Sequence, residues 1–172
     1  MLLNLSDVLT SEGMEIREEI PLEMTCYENG TESFPIASKS PVRLTVRNEG
    51  ADRARLTGDT RLTIRAGCDR CLKDVPVALD LRFERLLVSP GTEDAEADDL
   101  CFMDGFHLDV ETLVHNEILM NWPMKILCKE DCRGICPVCG QNRNQGDCGC
   151  DTFVPDPRMA VIQDIFNKSK EV

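Results

Sequence analysis

Cysteines are the residues of this 172-residue chain whose type and spacing are best suited to chemistry. Of the ten, eight are grouped, and only Cys26 and Cys101 stand apart; such lone cysteines are usually small, buried, apolar residues. The segment after Met1 has no basic stretch followed by a long apolar run, so we expect no secretion signal. Grouped thiols in a chain without that signal favour metal binding over disulfides.

The sequence Cys136-Pro-Val-Cys139-Gly140 has the spacing of a metal knuckle. Two intervening residues let both sulfurs reach one ion, and a glycine permits the tight turn that follows. Cys148 and Cys150 supply two further thiolates a short distance along the chain. Four thiolates suit tetrahedral zinc, so we predict a zinc site here, called the knuckle site. The alternative is a cluster of free thiols or disulfides.

The four other grouped cysteines form a second possible set. Cys68 and Cys71 lie in a predicted strand connection, and Cys128 and Cys132 follow a predicted helix. We predict that these four hold a second structural zinc, at what is called the turn site, and so fasten the sheet to the C-terminal segment. The rival interpretation is one zinc at the knuckle site, with the other four cysteines reduced and unused.

Other cysteine chemistries fit less well. Cys132-x3-Cys136-x2-Cys139 is the fingerprint of cluster-binding radical enzymes, but those need a large barrel that this chain is too short to form. An iron–sulfur cluster remains an alternative, because four thiolates can also hold one. A thioredoxin-like role for Cys68-Asp-Arg-Cys71 requires a βαβ setting, whereas the flanking segments are typical of antiparallel strands.

No residue pattern for catalysis is found. The two histidines, His107 and His115, are expected to be surface or packed residues rather than ligands, and no Ser/His/Asp set or phosphate-binding glycine loop occurs. A zinc ion closed by four cysteines leaves no position for a substrate. We therefore predict that the protein is not an enzyme and has no catalytic residues.

Alternating apolar and polar residues predict antiparallel strands with one buried face. The pattern runs through 42–47, 61–65 and 75–83. A further strand over 14–24 is expected at an edge or at a bulge because of Pro21. The loop 89–99 is strongly acidic.

Helices are predicted at three places. Leu2, Leu5, Val8 and Leu9 predict a short helix before Gly13. Asp109 is expected to cap a helix that buries Val110, Leu113, Val114 and Ile118 and stops before Pro123. A last helix is predicted to begin at Asp156-Pro157. The residues expected to face the core are Met159, Ile162, Ile165 and Phe166.

The predicted fold class is α+β. An antiparallel β-sheet, barrel-like or curved, is packed with a few helices and carries a C-terminal zinc-knuckle segment. The body is expected to span 1–127, the cysteine-rich segment 128–155, and a helix packing on the body 156–172. No apolar run is long enough for a membrane span.

The net charge of −12 argues against a generic nucleic-acid binder, but the charge is uneven. Residues 39–85 carry eleven bases and seven acids, between segments rich in acids. The strand pattern turns several arginines outward, and a guanidinium-rich face of this kind can contact RNA phosphates. The candidate contacts, called the basic face, are Arg43, Arg47, Arg61, Arg65, Arg70 and Lys73. The alternative is a solvated face whose arginines pair with nearby acids.

Together these features resemble the YceD family of large ribosomal RNA subunit accumulation proteins, in a cysteine-rich, clostridial form. The resemblance rests on Cys68/Cys71, on the helix end Glu117–Pro123, on Cys136-Pro-Val-Cys139-Gly140 and on Asp156-Pro157-Arg158. It covers nearly the whole chain.

The resemblance implies a function in 23S rRNA accumulation or processing, by binding rather than catalysis. It implies a cytoplasmic protein whose partner is large-subunit rRNA, a ribosomal protein or an assembly intermediate. The alternative is a zinc-stabilised adaptor for another protein, without direct RNA contact.

Overall fold

The structure is a computed structural model that describes residues 1–50, 53–90, 101–151 and Ile162. The chain divides into two compact units. The body unit comprises Met1–Cys68 and Lys73–Ile126, and the cysteine-rich unit comprises Asp69–Leu72 and Leu127–Val172.

The described elements, apart from the helical Ile162, all belong to the body unit. Its strands are β1 (Leu2–Asn4), β2 (Glu15–Ile20), β3 (Cys26–Glu28), β4 (Ser33–Lys39), β5 (Val42–Gly50), β6 (Arg53–Gly67), β7 (Asp74–Val88), β8 (Met103–Asp104) and β9 (His107–Asp109). Its helices are α1 (Ser6–Thr10) and α2 (Val110–Asn121).

Strands β5, β6 and β7 lie side by side in the main sheet with β6 in the middle, and neighbouring strands pair antiparallel. Their alternation is the one that the sequence predicts: Val42, Leu44 and Val46 are buried, whereas Arg43 and Arg47 are exposed. Burial of one face explains the period of two, because successive strand residues point to opposite sides. Strand β2 pairs along β5 at the end of the strand order, which is the edge position predicted from Pro21.

The sheet is interrupted where β4 gives way to β5. Both strands pair with the same edge of β6, and the break falls at Ser40-Pro41. Because proline has no N–H to donate, the ladder cannot continue through it. Ser40 bridges the gap: its Oγ accepts from the Arg61 N–H at 2.9 Å, and its N–H donates to the Arg61 carbonyl at 2.8 Å.

The N-terminal prediction was partly wrong. Only Ser6–Thr10 is helical, and Leu2–Asn4 forms strand β1, which pairs with β9 in a small three-stranded sheet. Leu5, Val8 and Leu9 are buried as expected, but Leu2 is 61% exposed. Pairing with a distant strand overrides the local helical pattern at Leu2.

Helix α2 has the predicted bounds and buries the four predicted apolar residues, Val110, Leu113, Val114 and Ile118. The Asp109 side chain caps it by accepting from the N–H groups of Glu111 and Thr112. Glu117 is also buried on this helix, where it forms an ion pair with Arg85 of β7. The core of the body unit lies between this helix, α1 and the inner face of the main sheet.

These observations confirm the predicted fold class, with mostly antiparallel sheets and α-helices; the sheets are open rather than closed into a barrel. The acidic loop falls mainly, and the predicted C-terminal helix almost entirely, outside the described residues. Ile162 is helical, but its side chain is 57% exposed, so the expectation that it faces the core is wrong. Within the described ranges, no helix has the length and apolarity to cross a membrane.

Candidate metal centres

The grouped cysteines come together in two sets of four. Within each set, the sulfur atoms all lie within 4.8 Å of one another. A tetrahedral ion with metal–sulfur bonds of about 2.3 Å needs sulfurs about 3.8 Å apart, so both sets can hold a metal ion with small adjustments. None of the ten cysteines, all of which are described, is in a disulfide. The turn-site set is Cys68, Cys71, Cys128 and Cys132, and the knuckle-site set is Cys136, Cys139, Cys148 and Cys150.

At the turn site, the β6–β7 connection carries the first two cysteines. Cys68 follows the end of β6, and its N–H donates to the Lys73 carbonyl at 2.8 Å, which closes the turn. The Cys71 and Cys128 sulfurs are 3.5 Å apart. Leu72, the residue after Cys71, has φ +60°, a left-handed conformation that is rare for a residue with a side chain. The backbone here therefore adopts a metal-knuckle turn without a glycine.

Cys132 has a polar neighbour that the sequence analysis did not identify. The Asn144 side chain donates to the Cys132 sulfur at 3.3 Å, and its own Oδ1 accepts from the Arg133 N–H at 3.0 Å. Burial raises the pKa of the Cys132 thiol, but hydrogen bonds from Asn144 and the Gly134 backbone outweigh burial and lower that pKa overall. Asn144 thus favours the thiolate form that binds metal. The spacing of residues in the sequence does not identify Asn144 as a neighbour of the cysteines.

At the knuckle site, backbone N–H groups point toward a sulfur, as the motif predicts. Hydrogen bonds from the Cys139 and Val138 backbones lower the pKa of Cys136 to about 6. Hydrogen bonding with the neighbouring cysteines, Cys139 first, raises the pKa of Cys150 to about 12. The turn closes through the Gly140 N–H, which donates to the Cys136 carbonyl at 2.9 Å, and Gly140 has φ +75°.

Each set can hold one metal ion. Four thiolates around one ion would complete a tetrahedral shell. Thiols must lose their protons to bind, so metal affinity falls as pH falls. Because all eight donors are sulfurs, zinc or an iron–sulfur cluster fits better than a hard cation such as Mg²⁺.

The remaining chemistry-bearing residues lie elsewhere. Neither His107 nor His115 belongs to a cysteine set; the His115 ring packs on Tyr27 with centroids 5.0 Å apart, in agreement with the expectation of a packed residue. The prediction that lone cysteines are buried was wrong, because Cys26 and Cys101 are both exposed. Cys101 instead accepts a hydrogen bond from Asn116 at 3.0 Å.

All six residues of the predicted basic face are exposed. Three of its arginines lie beside carboxylates on neighbouring strands: Arg43 pairs with Asp59, and Arg65 with Asp74. Arg61 lies 3.4 Å from Asp80. Cross-strand acids therefore neutralise much of the charge that the sequence alone attributes to this face.

Arg70 differs from the other residues of the basic face. Its guanidinium Nη1 donates to the Cys132 carbonyl at 2.8 Å, so its side chain contacts backbone within the cysteine-rich unit. Its own carbonyl accepts from the Ile135 N–H at 3.0 Å.

Comparison with known proteins identifies relatives of two origins. The chain is 29% identical over 105 residues to the uncharacterized protein YlbN of Bacillus subtilis (strain 168), covering 60% of this chain and 61% of that protein. It is 27% identical over 146 residues to the large ribosomal RNA subunit accumulation protein YCED homolog 1, chloroplastic, of Zea mays, covering 65% of this chain and 49% of that protein. The chain thus spans about half to three-fifths of the length of these relatives. No solved structure matches.

The matched region includes most of β6, all of β7 and all eight grouped cysteines. The sequence model of large ribosomal RNA subunit accumulation protein YceD matches residues 56–166, which is more than half of the chain. The comparisons do not bear on a clostridial origin. The chain belongs to the YceD family of large ribosomal RNA subunit accumulation proteins.

Proposed function

We propose that this protein is a ribosome biogenesis factor that supports 23S rRNA accumulation or processing by binding rather than by catalysis. The observation that carries this proposal is the match to the YceD family over residues 56–166. The cysteine sets agree with a binding role, because four-thiolate sites are closed to substrates. The protein acts in the cytoplasm, on large-subunit rRNA or on a ribosomal protein or assembly intermediate.

Zinc is the proposed metal, with one ion at each cysteine set. Zinc is redox-inert and takes four thiolates in a tetrahedral shell, which suits a cytoplasmic scaffold. Metal analysis of protein purified without added zinc should give close to two equivalents. Bound iron with visible charge-transfer absorption would show that the sites hold iron–sulfur clusters instead of zinc. A protein that is folded but free of metal would contradict metal binding altogether.

The proposed RNA contact lies on the outward side of β5, β6 and β7. A groove of ≈ 570 Å³ crosses these strands, and its lining includes Arg43, Arg61 and Arg82. Guanidinium groups bind phosphates with paired hydrogen bonds, and exposed ion pairs are worth only about 0–1 kcal/mol, so a phosphate can displace the carboxylate partners.

A protein adaptor without direct RNA contact is the second candidate. It is favoured by the ion pairs of Arg43, Arg61 and Arg65, because an arginine held by a carboxylate contributes little net positive potential. In that case zinc is purely structural, and the partner is a ribosomal protein.

Crosslinking in cells distinguishes the two candidates, when the RNA bound to the purified protein is sequenced and the bound proteins are identified by mass spectrometry. A ribosome biogenesis factor that contacts RNA should enrich large-subunit rRNA at defined positions over a mock-tagged control. Recovery of ribosomal protein without crosslinked rRNA would support the adaptor. Recovery of neither would contradict both.

A further inference from the structure

A single short segment connects the two metal sites. Cys132 belongs to the turn site and Cys136 to the knuckle site, and only Arg133, Gly134 and Ile135 lie between them. Four residue steps span at most about 14 Å, so the two ligands cannot move far apart. The conformation of this segment therefore affects the geometry of both sites.

Arg70 holds that segment near both of its ends. Its side chain donates to the Cys132 carbonyl at 2.8 Å, and its carbonyl accepts from the Ile135 N–H at 3.0 Å. Between these two bonds, Gly134 has φ +74°, and a Cβ atom there would lie only 2.9 Å from the Arg70 carbonyl oxygen. The backbones thus meet too closely for any residue but glycine.

Arg70 itself is placed by the turn site, because it immediately precedes the ligand Cys71. We infer that Arg70 couples the two metal sites, so that metal at the turn site fixes Arg70, which holds Cys132–Cys136 in the conformation that the knuckle site requires. This inference rests on the zinc part of the proposed function. It makes Arg70 a positioning residue instead of an RNA contact.

The two sites differ in burial, which decides where the coupling is best measured. Cys68, Cys71 and Cys132 of the turn site are buried, whereas Cys139 of the knuckle site is exposed. A chelator reaches an exposed ligand more easily, so the knuckle site should lose its metal first. The zinc affinity of the knuckle site is therefore easier to measure by chelator competition than that of the turn site.

A double-mutant cycle tests the coupling on the full chain. Cys128→Ser removes a ligand of the turn site, and zinc affinity at the knuckle site is then measured by competition with a chromophoric chelator. With Arg70 present, we expect Cys128→Ser to weaken the knuckle site roughly 10-fold, within the 5- to 150-fold range typical of coupled sites. In an Arg70→Ala background the same substitution should weaken it less than about 3-fold.

Two further variants sharpen the test. Arg133→Ala, in the same segment and also exposed, is the matched control and should leave the coupling unchanged. Arg70→Met keeps the aliphatic part of the side chain but has no donor for the Cys132 carbonyl, and should reduce the coupling as Arg70→Ala does. It keeps the test decisive if Arg70→Ala does not fold.

The reciprocal measurement is equally informative. Cys148→Ser, at the knuckle site, should weaken the turn site by a comparable factor, because the coupling between zinc binding at the two sites is reciprocal. An equal effect of Cys128→Ser with Arg70 and with alanine in its place would overturn the role of Arg70 while leaving two zinc sites in place. Native mass spectrometry that finds no zinc on the parent protein would overturn the zinc proposal and the coupling together.

Discussion

Leu72 and Gly140 occupy the same position in their knuckles, one residue after the second cysteine of each C-x2-C pair. Both have positive φ, +60° for Leu72 and +75° for Gly140. A left-handed conformation costs a residue with a Cβ about 1–2 kcal/mol. The Leu72 side chain is 73% exposed, so little packing offsets this strain. The conformation is therefore set by the turn rather than by packing of the side chain.

Replacing Leu72 with glycine should stabilise the protein. We expect Leu72→Gly to raise the free energy of unfolding by up to about 1 kcal/mol, since relief of strain exceeds the entropy that glycine adds to the unfolded chain. Denaturant unfolding in saturating zinc measures the change. Gly140→Leu is the matched control and should be destabilising. A loss of stability in Leu72→Gly would show that the Leu72 side chain stabilises the fold by more than the strain of its backbone conformation costs.

At the level of single residues, the sequence predicts which cysteines come together better than it predicts the polar residues that contact them. C-x2-C, C-x3-C and C-x-C spacing allowed the eight cysteines to be divided into the two sets that the structure brings together. Asn144 and Arg70 could not be assigned, because they reach Cys132 from 12 and 62 positions away in the chain. Such contacts depend on tertiary structure and leave no local pattern.

Among the elements, those with a strong local pattern were predictable. The long alternation of β5–β7 and the capped apolar pattern of α2 appear in the structure nearly as predicted. Strands β3 and β4 were not predicted: Pro35 and the serines of Ser33–Lys39 break the hydrophobic alternation, although β4 pairs with β6. Strand β1 is held by pairing with β9, more than 100 residues away, which local periodicity cannot reveal.

The Asp109 cap offers a test of how α2 is stabilised. Asp109→Ala removes an acceptor for the Glu111 and Thr112 N–H groups, so we expect a loss of about 1 kcal/mol in the free energy of unfolding. Asp109→Asn should lose much less, because asparagine caps comparably well. Thermal or denaturant unfolding at neutral pH compares the three proteins. Equal stability of Asp109→Ala and the parent would contradict the cap.

The same cap predicts a pH dependence. Burial raises the pKa of Asp109, but hydrogen bonds from Thr112 outweigh burial and lower that pKa overall. The carboxylate therefore stabilises the fold above its unfolded pKa of about 3.9, and this contribution is lost as pH falls through the lower, folded value. The stability advantage of the parent over Asp109→Ala should shrink below about pH 4, whereas that of Asp109→Asn over Asp109→Ala should stay constant over the same range.

On the scale of the whole molecule, surface charge is the property on which the two candidate functions differ. The chain carries a net charge of −12, and its main group of bases lies on strands whose acids pair with them. Asp80 is central to this arrangement, because it lies 3.4 Å from Arg61 and 3.9 Å from Arg82. If the basic face binds phosphates, these carboxylates compete with RNA for the same guanidinium groups.

Two opposite changes at this face make the RNA prediction specific. Arg61→Gln with Arg65→Gln removes two phosphate contacts, so the slope of log K against log salt for a single-stranded rRNA fragment should become shallower by about 1.4. Asp80→Asn removes the competing carboxylate and should instead tighten binding. Glutamine is preferred to glutamate here, because glutamate would place like charges beside Asp74 and Asp80 and disturb the sheet.

The measurement is a titration of large-subunit rRNA fragments at several salt concentrations. Arg133→Gln, which removes one positive charge outside the basic face, is the control. Thermal unfolding of each variant should shift by less than the equivalent of about 1 kcal/mol, because the affected ion pairs are exposed. Weaker RNA binding by the double variant, together with tighter RNA binding by Asp80→Asn, would show that RNA phosphates contact the basic face. If both variants bind RNA like the parent and the control, the arginines only form ion pairs within the sheet. The protein-adaptor function then becomes the better explanation.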